Sequence, residues 1–277
     1  MAALAGAGAA IVGDDGNVFV NPAGMAPIRR TTLGGSAALG PGDTRFASAS
    51  YVLRIGRFDF GFGAMARDWG DTLILGAPSG DTVLASSDLA SWAAMGVAAA
   101  AYRRGIVSVG VSGKATREYV ADSAGALWDA AAVTGDVGLA FTIFDIMALG
   151  ATLQNFAGTF VEDHTGADPA LPRTMRVGYT LAIVDPQGTM RLTMTTEWIR
   201  PPSRDSWWAL AAEGGVAISG VGVVARAGYA AGRSGADARA PSLGAGLVFG
   251  PIRFDYAYQG FRGAGEASHC LGARLAL

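Results

Sequence analysis

The chain has 277 residues, of which 51% are hydrophobic and 16% charged, with 41 glycines, a net charge of −2 and a mean hydropathy of +0.31. A soluble domain carries about 25% charged residues, so this chain is short of solvated surface, and no basic field advertises nucleic acid. The longest uncharged runs, 89–102 and 214–225, fall below the ~18 apolar residues of a spanning helix. A closed barrel is the other structure that satisfies every backbone group in lipid.

The first basic residue is Arg29, so residues 1–13 lack the charged region that opens a secretory signal. The signal peptide is therefore expected to be absent from this sequence. Gly6-Ala7-Gly8 begins like a dinucleotide loop, but the third glycine is missing and no strand precedes it. Residues 1–27 read instead as a plug. Asp14, Asp15 and Gly16 suit a tight turn. Asn21 suits an N-cap and Pro22 the first helical position, while Pro27 stops any continuation. The result is one helical turn between extended stretches, with Ala23, Gly24 and Met25 as its small body. A helix that short cannot hold itself in water, so residues 28–277 are expected to enclose it.

From residue 28 onward the dominant period is two, the strand signature. Phe58, Phe60, Phe62, Ala64 and Ala66 alternate with Asp59, Gly61, Gly63 and Arg67. Val107, Val109 and Val111 alternate with Ser108, Gly110, Ser112 and Lys114; Met190, Leu192, Met194 and Trp198 alternate with Arg191, Thr193, Thr195 and Glu197. Similar segments begin near Ile28, Thr44, Arg57, Leu89, Gly105, Gly125, Ile146, Arg173, Gly188, Trp207, Gly220, Ser242, Ile252 and Ser268. That gives about fourteen strands of roughly the ten residues a tilted membrane strand needs.

The fold class expected is all-β, a transmembrane antiparallel barrel with a short N-terminal plug in the lumen. Connections after even strands are tight, as at Gly56-Arg57, Arg104-Gly105 and Gly250-Pro251; those after odd strands tend to be longer, as at 69–88 and 158–172. Short turns on one side and long loops on the other mark outer-membrane barrels. Trp69, Trp92, Trp128, Trp198, Trp207 and Trp208 all fall near the long-loop ends, and Phe58, Phe60, Phe141, Phe144 and Phe249 near the short-turn ends. This reads as two aromatic girdles.

The polar phase carries Asp59, Arg67, Lys114, Glu118, Arg176, Arg191, Glu197, Arg226, Arg253, Asp255 and Arg274. These mixed charges are expected to line the lumen, pair with one another and hold the plug, because buried charges need partners. Gly61, Gly63, Gly150, Gly178, Gly222 and Gly228 would let the plug approach the wall. Catalytic chemistry finds little support. Gly113-Lys114 lacks the rest of a P-loop, and His269-Cys270 are adjacent strand residues that point to opposite faces. Two histidines leave no zinc constellation, and one cysteine excludes an internal disulfide framework. Glu162, Asp163, His164 and Asp168 read as a solvated acidic loop, since they lack calcium-loop spacing. No cofactor or metal is expected.

The run from Gly13 to Ala26, with its Asn-Pro-Ala-Gly core at 21–24, resembles the hatch signature of the PorV/PorQ outer-membrane proteins, which are related to the FadL long-chain fatty-acid transporters. Further resemblance lies in 86–90, in Leu153-Gln154-Asn155-Phe156-Ala157-Gly158, in 171–178, and in the last hairpin, 252–258 with 271–275. The chain departs from the family by ending on Leu277 rather than an aromatic residue, and by starting almost at the hatch. The resemblance implies a fourteen-stranded plugged barrel in the outer membrane of a Gram-negative-type bacterium, and a non-enzymatic role. It implies partners among secreted cargo proteins or secretion-machinery subunits of the type IX system. The alternative is a FadL-like transporter, which needs a hydrophobic ligand in the lumen, a movable hatch and a lateral gap in the wall.

Overall fold

The computed structural model describes residues 1–70, 72–77, 80–85, 90–122, 125–144, 146–158, 160–162, 172–184, 188–202, 205–232, 239–261 and 267–277. Its strands in chain order are β1 (Thr32–Leu39), β2 (Arg45–Ile55), β3 (Phe58–Asp68), β4 (Thr72–Ala77), β5 (Gly80–Ala85) and β6 (Ala90–Arg104). There follow β7 (Val107–Asp122), β8 (Gly125–Ile143), β9 (Met147–Ala157), β10 (Phe160–Glu162), β11 (Thr174–Val184) and β12 (Met190–Arg200). The last are β13 (Trp207–Ile218), β14 (Val221–Ala231), β15 (Arg239–Phe249), β16 (Ile252–Phe261) and β17 (Ala267–Ala276).

Fourteen of these close into one antiparallel barrel. Each pairs with its neighbour along the chain, β1 pairs with β17, and β8 pairs with β9 to complete the ring. Of the remaining three, β4 and β5 form a separate hairpin, and β10 extends the same sheet by pairing with Ala130–Ala132 of β8. The β1–β17 pairing removes the two edges that an open sheet of these fourteen strands would present. No helix among the described residues is long and apolar enough to cross a membrane.

Alternation decides the faces. Leu33, Phe62, Val111, Leu149, Val177, Met194, Leu210, Val223, Leu247, Phe254 and Leu271 are exposed on the outer surface. In water so much bare apolar area would be untenable; in lipid it is the required solvent contact. Inside, the barrel is filled by its own N-terminus. Ala3, Ala5, Ala7, Ala9, Ala10, Val18, Ala23, Met25 and Ala26 are all buried.

Several expectations are corrected in detail. The first strand starts at Thr32 and not at residue 28, because residues 25–28 still make turn hydrogen bonds. Asn17–Val20 forms a helical turn where an extended stretch is expected; the enclosing wall overrides the strand preference of Val18, Phe19 and Val20. The 69–88 connection carries the β4–β5 hairpin, and the β1–β2 connection on the same side is short, a 3-10 turn at Pro41–Asp43. Trp207 packs inward against Ile199 and Ala209, so it does not join Trp92 and Trp208, which are exposed on the outer face. The Trp128 side chain lies outside the described residues.

Candidate functional site: the plug and the lumenal wall

The plug is seated by close approach to glycines. A Cβ built at Gly110 would strike the backbone of Pro22 and Ala23, and one at Gly138 the side chain of Asn21. Gly150 faces the backbone of Ala9, Gly178 faces Ala10, and Gly228 and Gly244 face residues 3–5. On the opposite arc, Gly34 faces Asp15, Gly61 faces Met25 and Val18, and Gly63 carries the ring of Phe19. Glycines on eight barrel strands thus form a belt against which the plug backbone lies flat. Five of the six lumenal glycines singled out from sequence belong to it. Gly222 does not; the space a side chain would take there is bounded by Val248.

Local chemistry shapes the plug as well. Asn21 Oδ1 accepts the N–H of Ala23 at 3.1 Å, capping the 3-10 turn Pro22–Met25. Its Nδ2 donates to Ala9 O at 2.6 Å and to Leu139 O at 3.3 Å, tying the turn to the first plug segment and to β8. Asn17 Nδ2 donates to Ile11 O at 2.7 Å.

All eleven charged residues assigned to the lumen occupy the inward phase of their strands, and they divide into groups. Glu197, fully buried, accepts the N–H groups of Gly8 and Ala9 at 2.6 and 2.7 Å and Arg176 Nε at 2.6 Å; Arg176 also donates to Gly6 O at 2.5 Å. This is a charge-assisted clasp on the first plug segment. A second anchor joins Arg274 to Asp14 and Asp15, each at 3.3 Å, and to Gly13 O, while Ser50 Oγ donates to Asp15 at 2.5 Å. Burial, and then the neighbouring Asp14 carboxylate, push the Asp15 carboxyl above the usual carboxylate range, against Ser50 and Arg274.

A third group stays on the wall. Arg226 holds Glu213 at 2.5 Å and Asp255 at 2.8 Å, and Arg253 holds Asp255 at 2.8 Å. Lys114 pairs with the buried Asp136 at 2.7 Å. Arg67 lies over the Trp69 ring at 5.3 Å. Asp59 is buried opposite Arg54 with no hydrogen bond to either carboxylate oxygen. Glu118 and Arg191 also face inward, near the loop and turn ends of β7 and β12 respectively.

Asp136, Glu213, Ser50, Ser242 and Gln154 were not assigned to the lumen from sequence. Ser242 Oγ donates to Ala3 O and accepts from Ala5 N. Gln154 Nε2 donates to the carbonyls of Phe19 and Val20 at 3.3 and 3.1 Å. It is aimed there by an irregularity in the wall: the β8–β9 register jumps from Val137↔Leu153 to Gly135↔Ala157. Asn155 takes a left-handed φ of 54° at this bulge, and its N–H donates to Asp136 Oδ1 at 2.9 Å. The family-like run 153–158 forms this bulge.

A concavity of about 700 Å³ lies at the wall where Ala47, Ala49, Ala64, Ala66, Ala94, Gly96 and Ala115 face outward. Ser48, Met65, Met95 and Thr116, of the inward phase, line it as well. Asp163, His164 and Asp168 lie outside the described residues, and among the described residues no group of His, Cys, Asp and Glu is placed to hold a metal ion.

The geometry defines a class, a fourteen-stranded transmembrane β-barrel whose lumen is stopped by its own N-terminal segment. Solved structures share that fold. The CymD monoaromatic hydrocarbon channel aligns with a TM-score of 0.67 at 14% identity, covering 99% of this chain and 96% of its own. The toluene transporter TbuX of Ralstonia pickettii aligns with a TM-score of 0.66 at 12% identity, covering 99% and 97%. A FadL homologue of Pseudomonas aeruginosa aligns with 0.61 at 13%, covering 97% and 95%. No protein-family model and no curated protein sequence matches the chain.

Proposed function

We propose that the chain is an outer-membrane channel for hydrophobic small molecules, gated by residues 1–27. The observation that carries this reading is the glycine belt: the plug is seated by shape and a few clasps, with no covalent tie other than its link to β1. Such a stopper can shift without unfolding the barrel. The structural neighbours, a monoaromatic hydrocarbon channel and a toluene transporter, favour the same reading over secretion. Met65 and Met95 form an inward-phase cross-strand pair one step to the loop side of Gly63↔Val97, where Phe19 rests, which suits an apolar solute resting on the plug. The lateral gap that this reading asks for has a natural place at the β8–β9 bulge, where the ladder is bridged by the Asp136 side chain. The membrane lipid is the partner of the outer face. The type IX reading, with cargo proteins as partners, gains no support from the described residues.

The test is uptake of labelled toluene by cells with a lipopolysaccharide-coated outer membrane, with and without the protein. Faster uptake with the protein is expected. Equal uptake, together with co-purification of secreted proteins, would replace this reading by the secretion one.

A further inference from the structure

Buried polar side-chain atoms that lack a hydrogen-bond partner are not scattered evenly through the described residues. Five of them lie on β7 and β8: Ser108 Oγ, Ser112 Oγ, Thr134 Oγ1, Asp136 Oδ2 and Thr142 Oγ1. All five residues face the lumen, and Ser112 stands directly opposite Asp136 and Thr134 directly opposite Lys114. Ser108 and Thr142 lie on the short-turn side of Gly110 and Gly138; the other three lie on the loop side. Between the two sets, at the two glycines, rests the capped turn beginning at Asn21 and Pro22.

A buried hydroxyl without a partner is unfavourable, and several in line are not explained by packing. We infer that the inner face of β7 and β8 is a hydrogen-bonding lane for an uncharged, hydroxyl-bearing hydrophobic solute, closed in this structure by Asn21–Ala23. This rests on the transport reading and names the substrate class within it. The lane spans about 20 Å from Ser108 to Lys114 at the rise of a strand. Its chemistry selects. Lys114 is neutralised by Asp136 at 2.7 Å, so the lane offers no net positive charge to an anion, and a carboxylate would meet the acceptor-only Asp136 Oδ2. A pure hydrocarbon would leave all five atoms unmatched. A hydroxyl both donates and accepts, and can pass from Thr134 and Asp136 to Ser112 and, once the turn has moved, to Ser108 and Thr142.

The experiment compares p-cresol with toluene, which differ by one hydroxyl, as labelled solutes taken up by cells expressing the full chain, each corrected for cells without it. The variant combines Ser108→Ala, Ser112→Ala, Thr134→Val and Thr142→Val, and leaves Lys114 and Asp136 in place. The p-cresol to toluene uptake ratio is expected to fall by about fivefold or more, the effect of one neutral hydrogen bond. Undiminished toluene uptake reports that the variant is folded and inserted. A milder variant, Ser112→Ala with Thr134→Val, serves if the fourfold one does not insert. An unchanged ratio with both solutes still carried overturns the lane and leaves transport standing. If the native chain carries neither solute, the transport reading itself falls.

Discussion

Glu197 is the fully buried centre of the first clasp, a single carboxylate that receives two plug amides and the Arg176 guanidinium of the wall. Replacing it leaves Arg176 buried with half its partners, a situation that costs about 3–5 kcal/mol in buried pairs. Glu197→Gln keeps the shape and loses the charge, so it should loosen residues 6–9 and raise single-channel conductance while the barrel stays folded. Conductance indistinguishable from native would remove Glu197 from the seating of the plug. Asp15 acts in the opposite sense. Its seated form is held above the usual carboxylate range, chiefly by burial, so the seated plug binds the proton more tightly than the displaced one. The stabilisation is therefore complete below the ordinary carboxylate range and fades as the pH rises through the raised value. Acidification should reduce leak conductance, and Asp15→Asn should flatten that part of the profile. A profile that Asp15→Asn leaves unaltered would assign the pH response elsewhere.

Among the elements, the plug turn and the wall it touches were unequally legible in the sequence. Asn21-Pro22 announces its turn because capping and a fixed φ act within a few residues. Pro22→Gly should restore backbone freedom to the displaced turn, worth about 0.4–1 kcal/mol, and increase permeability to small solutes. Gly138→Val tests the same contact from the wall: its side chain would occupy the position of Asn21 Oδ1, so the plug should become accessible to added protease while the barrel resists it. The helical turn Asn17–Val20 was not legible, since Val-Phe-Val favours strands and only the enclosing wall reverses that preference. Asp136 was missed for another reason. In β8 it belongs to an inward series with Thr134, Gly138, Ala140 and Thr142, against Val133, Val137, Leu139 and Phe141. That alternation was available but is diluted by alanine and glycine, which carry little contrast. The bulge at Asn155 depends on the β8–β9 register, a long-range property that no local pattern encodes.

For the molecule as a whole, the outer surface was the most readable feature, because lipid imposes one rule on every strand. Tyr179 faces outward near the middle of β11, and Tyr179→Arg should destabilise the barrel by about 2–4 kcal/mol, measured by unfolding from detergent or lipid. A change below about 1 kcal/mol would place that face out of the bilayer core. The β1–β17 ladder, running from Thr32↔Ala276 to Leu39↔His269, has a consequence for how the molecule is made. The final stave is synthesised after the thirteen others, yet it must join the stave that directly follows the stopper. Residues 1–28 therefore have to be inside the incomplete cylinder before its seam zips, or be threaded in afterwards through the end bearing the tight turns. Their tether enters from that end, so any withdrawal must also go that way. The stopper works like a cork on a short cord, able to drop out on the side of its tether but not to be lost through the far mouth.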